Sequence, residues 1–448
     1  MSISSSFLSE KLLPQRLSSK KYKNLIMTHT YQQSGVSFCG LGIAPKILEI
    51  LDRMRFTIPT PIQHKAIPIA IEGKDIIGVA QTGTGKTLAF AIPIIQRLAQ
   101  AKGRCLILVP TRELALQVDE TFQKLITLFG MRTVVLIGGA SMHTQLQNLR
   151  KNPRIIIATP GRLVDHINQR TVLLADTTVL VLDEADRMLD MGFLPQIERI
   201  LKFIPSQRQT MFFSATIPKE VIAIATAYMK LPIHIEIAPS GTTAERIIQE
   251  LFIVKRDAKR KLLDKILAQH HGSVLLFSRT KIGAAKIARF LKMAGHKAAE
   301  IHSNRSLAQR REALEGFKSG KYRVLVATDI AARGIDVTGI ELVINYDLPE
   351  EAGNYVHRIG RTARAGHEGR AISFATPDQG ADVRNIEKLI KTALPVSEHP
   401  ELPRESFIQG LKQPAISRFY GKQKHGHTKY HSGYTMRKFQ PKFQPKNP

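Results

Sequence analysis

Residues 75–98 read DIIGVAQTGTGKTLAFAIPIIQRL, and this stretch decides the fold. A short β-branched run is followed by a glycine-rich turn and then by apolar residues at helical spacing, which predicts a strand, a phosphate-binding loop and a helix. Gly83 and Gly85 let backbone N–H groups approach phosphate oxygens, Lys86 supplies a positive charge, and Thr87 offers a hydroxyl to Mg²⁺. A chance glycine-rich turn is the alternative that this segment leaves open.

Residues 179–186, VLVLDEAD, supply the acidic side chains that a phosphate-binding loop needs. The apolar residues predict a buried strand that delivers Asp183 and Glu184 to the loop. Asp183 can hold Mg²⁺, largely through water, and Glu184 can orient and deprotonate an attacking water. A helix N-terminus enriched in acids would explain the carboxylates but not their pairing with the loop. Ala80 stands where the general loop pattern has its first glycine. Because the two motifs occur together, we still predict a phosphate-binding loop.

Eleven short runs that predict strands, six within residues 75–216 and five within residues 273–377, alternate with loops and amphipathic stretches, which is typical of parallel βαβ units. We therefore predict an α/β fold with two tandem doubly wound parallel-sheet domains, whose functional residues follow the strand C-termini. A segment rich in Pro, Gly, Ser and Thr separates them. The predicted organisation is a basic N-terminal extension at 1–35, a first domain at 36–236, a linker at 237–246, a second domain at 247–396 and a basic disordered tail at 397–448.

The charge balance indicates a polyanionic partner. Lys and Arg number 65 against 37 Asp and Glu, which gives a net charge of +28. This excess favours nucleic acid or an anionic membrane surface. The last 43 residues contain nine Lys or Arg, seven aromatic residues and no acid. Such a mixture permits charge attraction and base stacking, so we predict a sequence-independent nucleic-acid tether, with a solvated, weakly interacting extension as the alternative.

Membrane insertion and secretion are not expected from the sequence. No stretch approaches 18 uninterrupted apolar residues, and the N-terminus lacks an apolar core of signal-peptide length. Cys39 and Cys105 are the only cysteines, which fits a reducing cytoplasm. The Ser-rich, basic N-terminus also resembles an organelle transit peptide, which is the alternative to a cytoplasmic protein.

Residues 355–366, YVHRIGRTARAG, place Arg358, Arg361 and Arg364 at helical spacing. Alone, three such arginines indicate a solvated face or a phosphate-binding ridge. Phosphoryl transfer needs positive charge on its transition state, and a mobile domain can deliver it. The nucleotide motifs in the other half therefore favour arginine fingers.

With these motifs in this order, the chain resembles the DEAD-box ATP-dependent RNA helicases of the compact bacterial type over residues 36–396. Asp183-Glu184-Ala185-Asp186 is the tetrad that gives the family its name. The resemblance implies two RecA-like domains with ATP and Mg²⁺ in the cleft and single-stranded RNA across both. It implies RNA-dependent hydrolysis of ATP to ADP and phosphate. The implied hydrolytic set is Lys86, Thr87, Asp183, Glu184, Arg361 and Arg364, with Thr87 and Asp183 as the metal ligands.

The resemblance also implies the nucleotide contacts. Residues 56–63, FTIPTPIQ, are similar to the Q motif, in which Gln63 reads adenine and Thr60 supports the loop. Phe38 matches an upstream aromatic residue that packs at the base, with plain core packing as the alternative. Residues 327–336, ATDIAARGID, match a segment whose aspartate contacts the ribose. The implied ATP-binding set is Phe38, Thr60, Gln63, Ala80, Gln81, Thr82, Gly83, Thr84, Gly85, Lys86, Thr87, Gly334 and Asp336.

Contacts for coupling and for RNA follow from the same resemblance. The implied coupling set is Asp186, Ser214, Ala215, Thr216, His357 and Arg358. The implied RNA contacts use small residues, hydroxyls, N–H groups and Arg at strand ends, chemistry that suits phosphates and 2′-hydroxyls and does not read bases. They are Pro110, Thr111, Arg112, Gly138, Gly139, Thr159, Gly161, Arg162, Arg279, Thr280, Arg310, Thr328 and Arg333. Ser303 and Leu307 replace a glycine and a glutamine of the family pattern in this set's IHSNRSLAQR segment.

The expected function is ATP-dependent, sequence-independent unwinding of short RNA duplexes or remodelling of RNA–protein complexes. Its expected partners are RNA and ribosomal or RNA-decay proteins that the sequence does not identify. A membrane is not an expected partner. Two alternatives stay open. One is an ATP-gated RNA clamp or scaffold, and the other is an RNA-annealing chaperone in which the basic tail does the main work.

Overall fold

Two parallel β-sheets form the framework of this computed structural model, which describes residues 37–80, 83–237, 247–332, 337, 339–362 and 369–408. The strands of the first sheet are β1 Ile76–Val79, β2 Arg104–Leu108, β3 Thr133–Leu136, β4 Ile155–Ala158, β5 Thr177–Asp183, β6 Gln209–Ser214 and β7 Ile233–Glu236. The strands of the second sheet are β8 Ile247–Ile253, β9 Val274–Phe277, β10 Ala298–Ile301, β11 Val324–Ala327, β12 Leu342–Asn345 and β13 Gly369–Ala375.

Helices connect the strands and pack against the sheets. The helices of the first half are α1 Pro45–Arg53, α2 Pro61–Ile71, α3 Lys86–Gln100, α4 Arg112–Leu125, α5 Met142–Arg150, α6 Pro160–Asn168, α7 Ala185–Asp190, α8 Leu194–Leu201 and α9 Lys219–Tyr228. Those of the second half are α10 Lys259–Gln269, α11 Lys281–Met293, α12 Leu307–Lys318, α13 Asp329–Ala332, α14 Ala352–Ile359, a 3₁₀ turn Pro377–Gln379 and α15 Gly380–Ile390. Within the described residues, no helix combines the length and apolar character needed to span a membrane.

The strand order sets which loops meet. The first sheet runs β3-β4-β2-β5-β6-β1-β7, and every neighbouring pair is parallel. The loops after β1, β6 and β5 therefore leave the same edge of the sheet side by side. The second sheet runs β10-β11-β9-β12-β13-β8, also with parallel pairs. The predicted α/β fold with two doubly wound sheets is confirmed.

The buried strands are continuously apolar because their side chains point alternately to the two faces of the sheet, and both faces are covered. In β4, Ile155 and Ile157 belong to one core cluster, while Ile156 and Ala158 belong to the cluster on the other face. A strand covered by helices on both faces buries every side chain, so its sequence is uniformly apolar instead of alternating. This is the pattern from which eleven of the strands were predicted.

Two strands, β7 and β8, were not predicted, and both border the expected linker. β7 reads IHIE at the edge of the first sheet, with three of its four residues exposed. β8 reads IIQELFI at an edge of the second sheet, where Gln249 and Glu250 interrupt the apolar run. An edge strand is buried on fewer sides, so its apolar pattern is weaker. Linker residues 238–246 lie outside the described residues.

The second domain continues beyond its predicted end at residue 396. The segment 396–408, which we call the C-terminal segment, begins with a parallel bridge between Val396 and Leu251 of β8. Leu402 and Phe407 pack against core clusters of the second sheet. Ile408 donates its backbone N–H to the carbonyl of Pro377 at 3.0 Å. The sequence places the tail boundary too early because this segment has no helical or strand periodicity. Residues 409–448 lie outside the described residues.

Truncation tests the revised boundary. We expect a chain that ends at residue 408 to keep the urea midpoint of the full chain. A chain that ends at residue 395 should lose about 2–4 kcal/mol of unfolding free energy, because Leu402 and Phe407 no longer cover the second sheet. Urea titration followed by circular dichroism measures both. Equal midpoints for the two truncated chains would contradict the packing role of the C-terminal segment.

Candidate nucleotide site at the carboxyl edges of the two sheets

The phosphate-binding loop joins β1 to α3. Gly83 and Gly85 have φ angles of 84° and 87°, a region that residues with a Cβ atom rarely adopt. A Cβ atom on Gly85 would lie 2.3 Å from Nε2 of Gln63. Because α3 begins directly after Gly85, its first N–H groups are available to phosphate oxygens. Gln81 and Thr82 lie outside the described residues.

Lys86 and Asp183 bring opposite charges to the same edge of the first sheet. Lys86 is buried, and its Nζ donates a hydrogen bond to the carbonyl of Ala80 at 2.9 Å. Asp183 ends β5, and its Oδ1 accepts the backbone N–H of Glu184 at 2.9 Å. Burial raises the pKa of Asp183 to about 6, and the positive charge of Lys86 opposes that rise. A further positive charge at this position would therefore stabilise the ionised carboxylate.

Asp183 and Thr87 fit a magnesium ion by their chemistry and position. Both line one cavity, and carboxylate and hydroxyl oxygens are the hard ligands that Mg²⁺ prefers. Among the described residues, no group of three His, Cys, Asp or Glu side chains could hold a metal ion. This donor set matches the usual mode of magnesium binding, in which one or two carboxylates act together with water and substrate phosphates.

Asp186 ties the tetrad to the loop after β6. Its Oδ2 accepts hydrogen bonds from the backbone N–H groups of Ala215 and Thr216, at 3.1 and 2.8 Å, and from Oγ1 of Thr216 at 2.9 Å. Its own N–H donates to Oγ of Ser214 at 3.2 Å. Burial opposes ionisation, but the charge of Lys86, other nearby positive charges and these donors lower the pKa of Asp186. The structure thus joins Asp186 directly to the Ser-Ala-Thr segment of the predicted coupling set.

Both ends of the Gln63 side-chain amide form hydrogen bonds within the protein. Its Oε1 accepts the N–H of Thr60 at 2.9 Å, and its Nε2 donates to the carbonyl of Gly85 at 3.0 Å. It therefore links the start of α2 to the phosphate-binding loop. Adenine reading by Gln63 stays a prediction, and it requires the amide to exchange these partners. Phe38 is buried in the first core cluster, which favours the core-packing alternative for this residue.

A cavity of about 360 Å³ collects residues from both sheets. The predicted residues that line it are Gly83, Gly85, Lys86, Thr87, Asp183, Glu184 and Arg361. Arg361 comes from the loop after α14, so the second sheet contributes a guanidinium to the cavity that holds the phosphate-binding loop. Arg364, Gly334 and Asp336 lie outside the described residues.

Several lining residues were missed from the sequence. They are Met54, Phe56, Leu88, Leu114, Gln117, Glu120, Thr121, Lys124 and Lys318. The side chains from α4 recur at intervals of three or four residues, which is a helical face, but this spacing equally describes a core or solvent face. Lys318 reaches the cavity through the packing of the two sheets, and local sequence carries no signal for that.

Arg358 is committed to contacts within the second sheet. Its Nη2 donates to Asp329 at 2.6 Å, and its Nη1 donates to Oδ1 of Asn345 and the carbonyl of Asp347. It also stacks 5.0 Å from the ring centre of Phe277. Arg358 thus joins the segments after β11 and β12, and its predicted coupling role would act through them. Arg358 and Arg361 are both buried, so these two arginines do not form an exposed ridge.

Arg112 packs against the glycine pair after β3. A Cβ atom on Gly139, whose φ angle is 74°, would lie 2.2 Å from Nη1 of Arg112. The same loop is held by Gln145, which was not predicted. Its Oε1 accepts the N–H of Ile137, and its Nε2 donates to the carbonyl of Ile137 and, more weakly, to that of Ala140. The close approach of the Arg112 side chain and the positive φ angle therefore explain the glycine at position 139.

Other predicted RNA contacts also lie where strands of the first sheet end. Thr111 follows buried Pro110, and its hydroxyl accepts the N–H of Leu114 at the start of α4. Thr159 directly precedes α6, and Gly161 lies in its first turn. Arg162 donates from Nη1 to the carbonyl of Ala140 at 3.1 Å. The loops after β2, β3 and β4 are therefore adjacent and present hydroxyls, N–H groups and arginines at one edge.

In the second sheet, Asp347 organises the loop after β9. Its Oδ2 accepts from Oγ of Ser278 and from the N–H of Arg279, both at 3.1 Å. The hydroxyl of Thr280 accepts the N–H of Gly283 and caps α11. Thr328 follows β11 at the same edge of the sheet. Arg333 lies outside the described residues.

Arg310 is paired with Glu113 of α4 in the first half, and its contact with RNA stays a prediction. Arg310 and Glu113 are both buried, with 2.7 Å between Nη2 and Oε2. Leu307 packs partly buried against the first core cluster. A buried guanidinium requires a charged partner, and Glu113 provides it. Leu307 therefore makes an apolar contact between the two halves where the family pattern has glutamine.

Two glycine substitutions test the RNA-facing loop. Gly139→Ala should weaken single-stranded RNA binding by about tenfold, because its methyl group must displace Arg112 and its φ angle becomes strained. Gly130→Ala is the matched control, since Gly130 has a φ angle of 62°, a Cβ atom there meets nothing within 4 Å, and the residue precedes β3 at the opposite edge of the sheet. Fluorescence anisotropy with labelled RNA measures both, and nucleotide affinity should stay unchanged in each. Equal RNA affinities in the two variants would contradict the proposed geometry.

Two family profiles match the chain in tandem. The profile described as DEAD/DEAH box helicase matches residues 60–224, and the helicase conserved C-terminal domain matches residues 258–366. The ATP-dependent RNA helicase CshA of Listeria monocytogenes is 45% identical over 368 residues, which are 81% of this chain and 70% of that protein. The ATP-dependent rRNA helicase RRP3 of Debaryomyces hansenii is 43% identical over 368 residues, 81% of this chain and 77% of that protein.

Solved structures show the same arrangement of sheets. S. cerevisiae Dbp5 bound to RNA and ADP BeF3 matches with a TM-score of 0.72 and 30% identity, over 81% of this chain and 95% of that one. Mss116p bound to ssRNA and AMP-PNP matches with a TM-score of 0.73 and 30% identity, over 80% of this chain and 78% of that one. The matches cover both sheets, so the chain belongs to the DEAD-box family of RNA helicases.

Proposed function

We propose that the protein is an ATP-dependent RNA helicase that couples ATP hydrolysis to local, sequence-independent separation of short RNA duplexes or to remodelling of RNA–protein complexes. The observation that carries this proposal is the shared cavity. Arg361 from the second half and Lys86, Asp183 and Glu184 from the first half line it together. A site that is complete only when both halves meet can link hydrolysis to their relative movement.

In the proposed reaction, each half has its own task. Lys86 and the N–H groups at the start of α3 hold the phosphates of ATP, and Arg361 stabilises the charge that develops as the terminal phosphoryl group is transferred. Glu184 orients the attacking water and accepts its proton. Magnesium, held through Asp183 and Thr87, would neutralise charge on the phosphate oxygens.

The proposed RNA interface follows from the chemistry of the strand ends. Hydroxyls, N–H groups and arginines after β2, β3, β4 and β9 suit phosphates and 2′-hydroxyls, so binding does not depend on base sequence. The matched structures of Dbp5 and Mss116p were solved with RNA bound, which supports RNA as the partner. The relatives named rRNA helicases support ribosomal RNA as one substrate. Ribosomal or RNA-decay proteins and a cytoplasmic location stay part of this proposal.

Steady-state ATPase assays test the enzymatic proposal. We expect strong stimulation by RNA and little by DNA of the same sequence. Lys86→Ala should lose ATP binding, because a neutral side chain cannot hold the phosphates. Glu184→Gln should keep ATP binding and lower the turnover number at least about 100-fold, because the general base is lost. RNA unwinding that survives in Glu184→Gln would instead favour an ATP-gated clamp, and RNA binding without ATPase stimulation would favour a chaperone.

Removal of residues 409–448 tests the predicted nucleic-acid tether. This stretch contains nine Lys or Arg and no acid. Each lysine or arginine that displaces a counterion from single-stranded RNA contributes about 0.7 to the slope of log affinity against log salt concentration. Loss of all nine should therefore reduce the magnitude of this slope by up to about 6. A chain with a Gly/Ser segment of equal length is the control. An unchanged slope would exclude the tail as an RNA contact.

A further inference from the structure

Arg187 is one of the largest fully buried side chains in the described part of the chain, yet neither ATP nor RNA binding assigns it a task. It lies in α7, three residues after Glu184. Its Nη1 donates to Oε2 of Glu184 at 2.9 Å, and both side chains are 3% exposed or less. A buried guanidinium without partners is strongly destabilising, so Arg187 constrains the groups around it as much as they constrain Arg187.

The second contact of Arg187 reaches the other half of the protein. Its Nη2 lies 3.3 Å from Nδ1 of His357, which is in α14. Burial and the adjacent charge of Arg187 lower the pKa of His357 to about 4, so the imidazole is neutral near pH 7. Because a guanidinium can only donate, Nδ1 must be the acceptor and Nε2 carries the proton. Arg187 therefore bridges the catalytic carboxylate and the second sheet.

The backbone conformation of Glu184 and its contact with Arg187 together set the direction of its carboxylate. Glu184 has a φ angle of 54°, an unusual value for a side chain of its size, and it caps α7 from that conformation. The residue lines the cavity that holds the phosphate-binding loop. With Oε2 engaged by Arg187, the direction of the carboxylate is set, and Oε1 is the oxygen that can accept a hydrogen bond from water.

We propose that Arg187 is a positioning residue that makes the orientation of the Glu184 carboxylate depend on docking of His357. When the halves dock, His357 holds Nη2 and Nη1 holds Oε2 of Glu184. When they separate, the guanidinium loses an acceptor and turns toward others, which moves the carboxylate away from the attacking water. This inference rests on the proposed ATPase function. It adds a mechanism by which ATP hydrolysis depends on contact between the two halves.

The test compares Arg187→Gln, Arg187→Lys, His357→Ala and the double variant Arg187→Gln/His357→Ala. Arg187→Gln should lower the RNA-stimulated turnover number at least about tenfold, with the KM for ATP and the affinity for a fluorescent ADP analogue within about twofold. Arg187→Lys should recover part of the loss, because an ammonium can hold one partner but not bridge two. The double variant should lose little beyond the larger single effect, because both residues act on one carboxylate.

Arg53→Gln is the matched control, since Arg53 forms an exposed ion pair with Glu49 on α1, outside the cavity. It should leave turnover unchanged. Additive losses in the double variant, or equal changes in turnover and nucleotide affinity, would reduce Arg187 to a structural ion pair and overturn the proposal. If Arg187→Gln does not fold, the same cycle is run with Arg187→Lys, and additivity is again the contradicting result. Wild-type protein without RNA-stimulated ATPase would refute the proposed function itself.

Discussion

Three carboxylates are buried within four residues at the end of β5, and the rest of the site is arranged to compensate their charge. Lys86 from the phosphate-binding loop faces Asp183, Arg187 pairs with Glu184, and the loop after β6 supplies N–H groups to Asp186. Burying one unpaired carboxylate is already costly. The loops after β1 and β6 and helix α7 are therefore fixed in relation to one another by the need to neutralise this cluster.

The two halves meet through contacts of different chemistry. Arg310 and Glu113 form a buried ion pair between α12 and α4, and Leu307 adds apolar contact to the same interface. Arg187 and His357 form the contact between α7 and α14. The first interface depends on charge, whereas the second needs a neutral imidazole. Together they hold the second sheet so that Arg361 lines the cavity of the first.

The parts of this architecture that depend on local sequence could be predicted from it. Short apolar runs predicted eleven strands, and the glycine-rich loop and the acidic tetrad predicted the nucleotide site, because the residues of each motif are neighbours in sequence. Contacts between distant elements could not be found this way. The ion pair of Arg310 with Glu113 and the bridging contacts of Arg187 were not predicted, since nothing near either arginine specifies the partner that packing brings to it.

The C-terminal segment also changes how copies of the protein can meet. β8 is an edge strand, and Leu251 would present unpaired backbone groups there. Leu251 donates its N–H to the carbonyl of Pro395, directly before the C-terminal segment, and accepts the N–H of Ser397, which lies within it. An open edge is a template for strand pairing between molecules. Residues 395–397 therefore occupy the backbone groups of Leu251 and leave less of this edge open to strand pairing with another molecule.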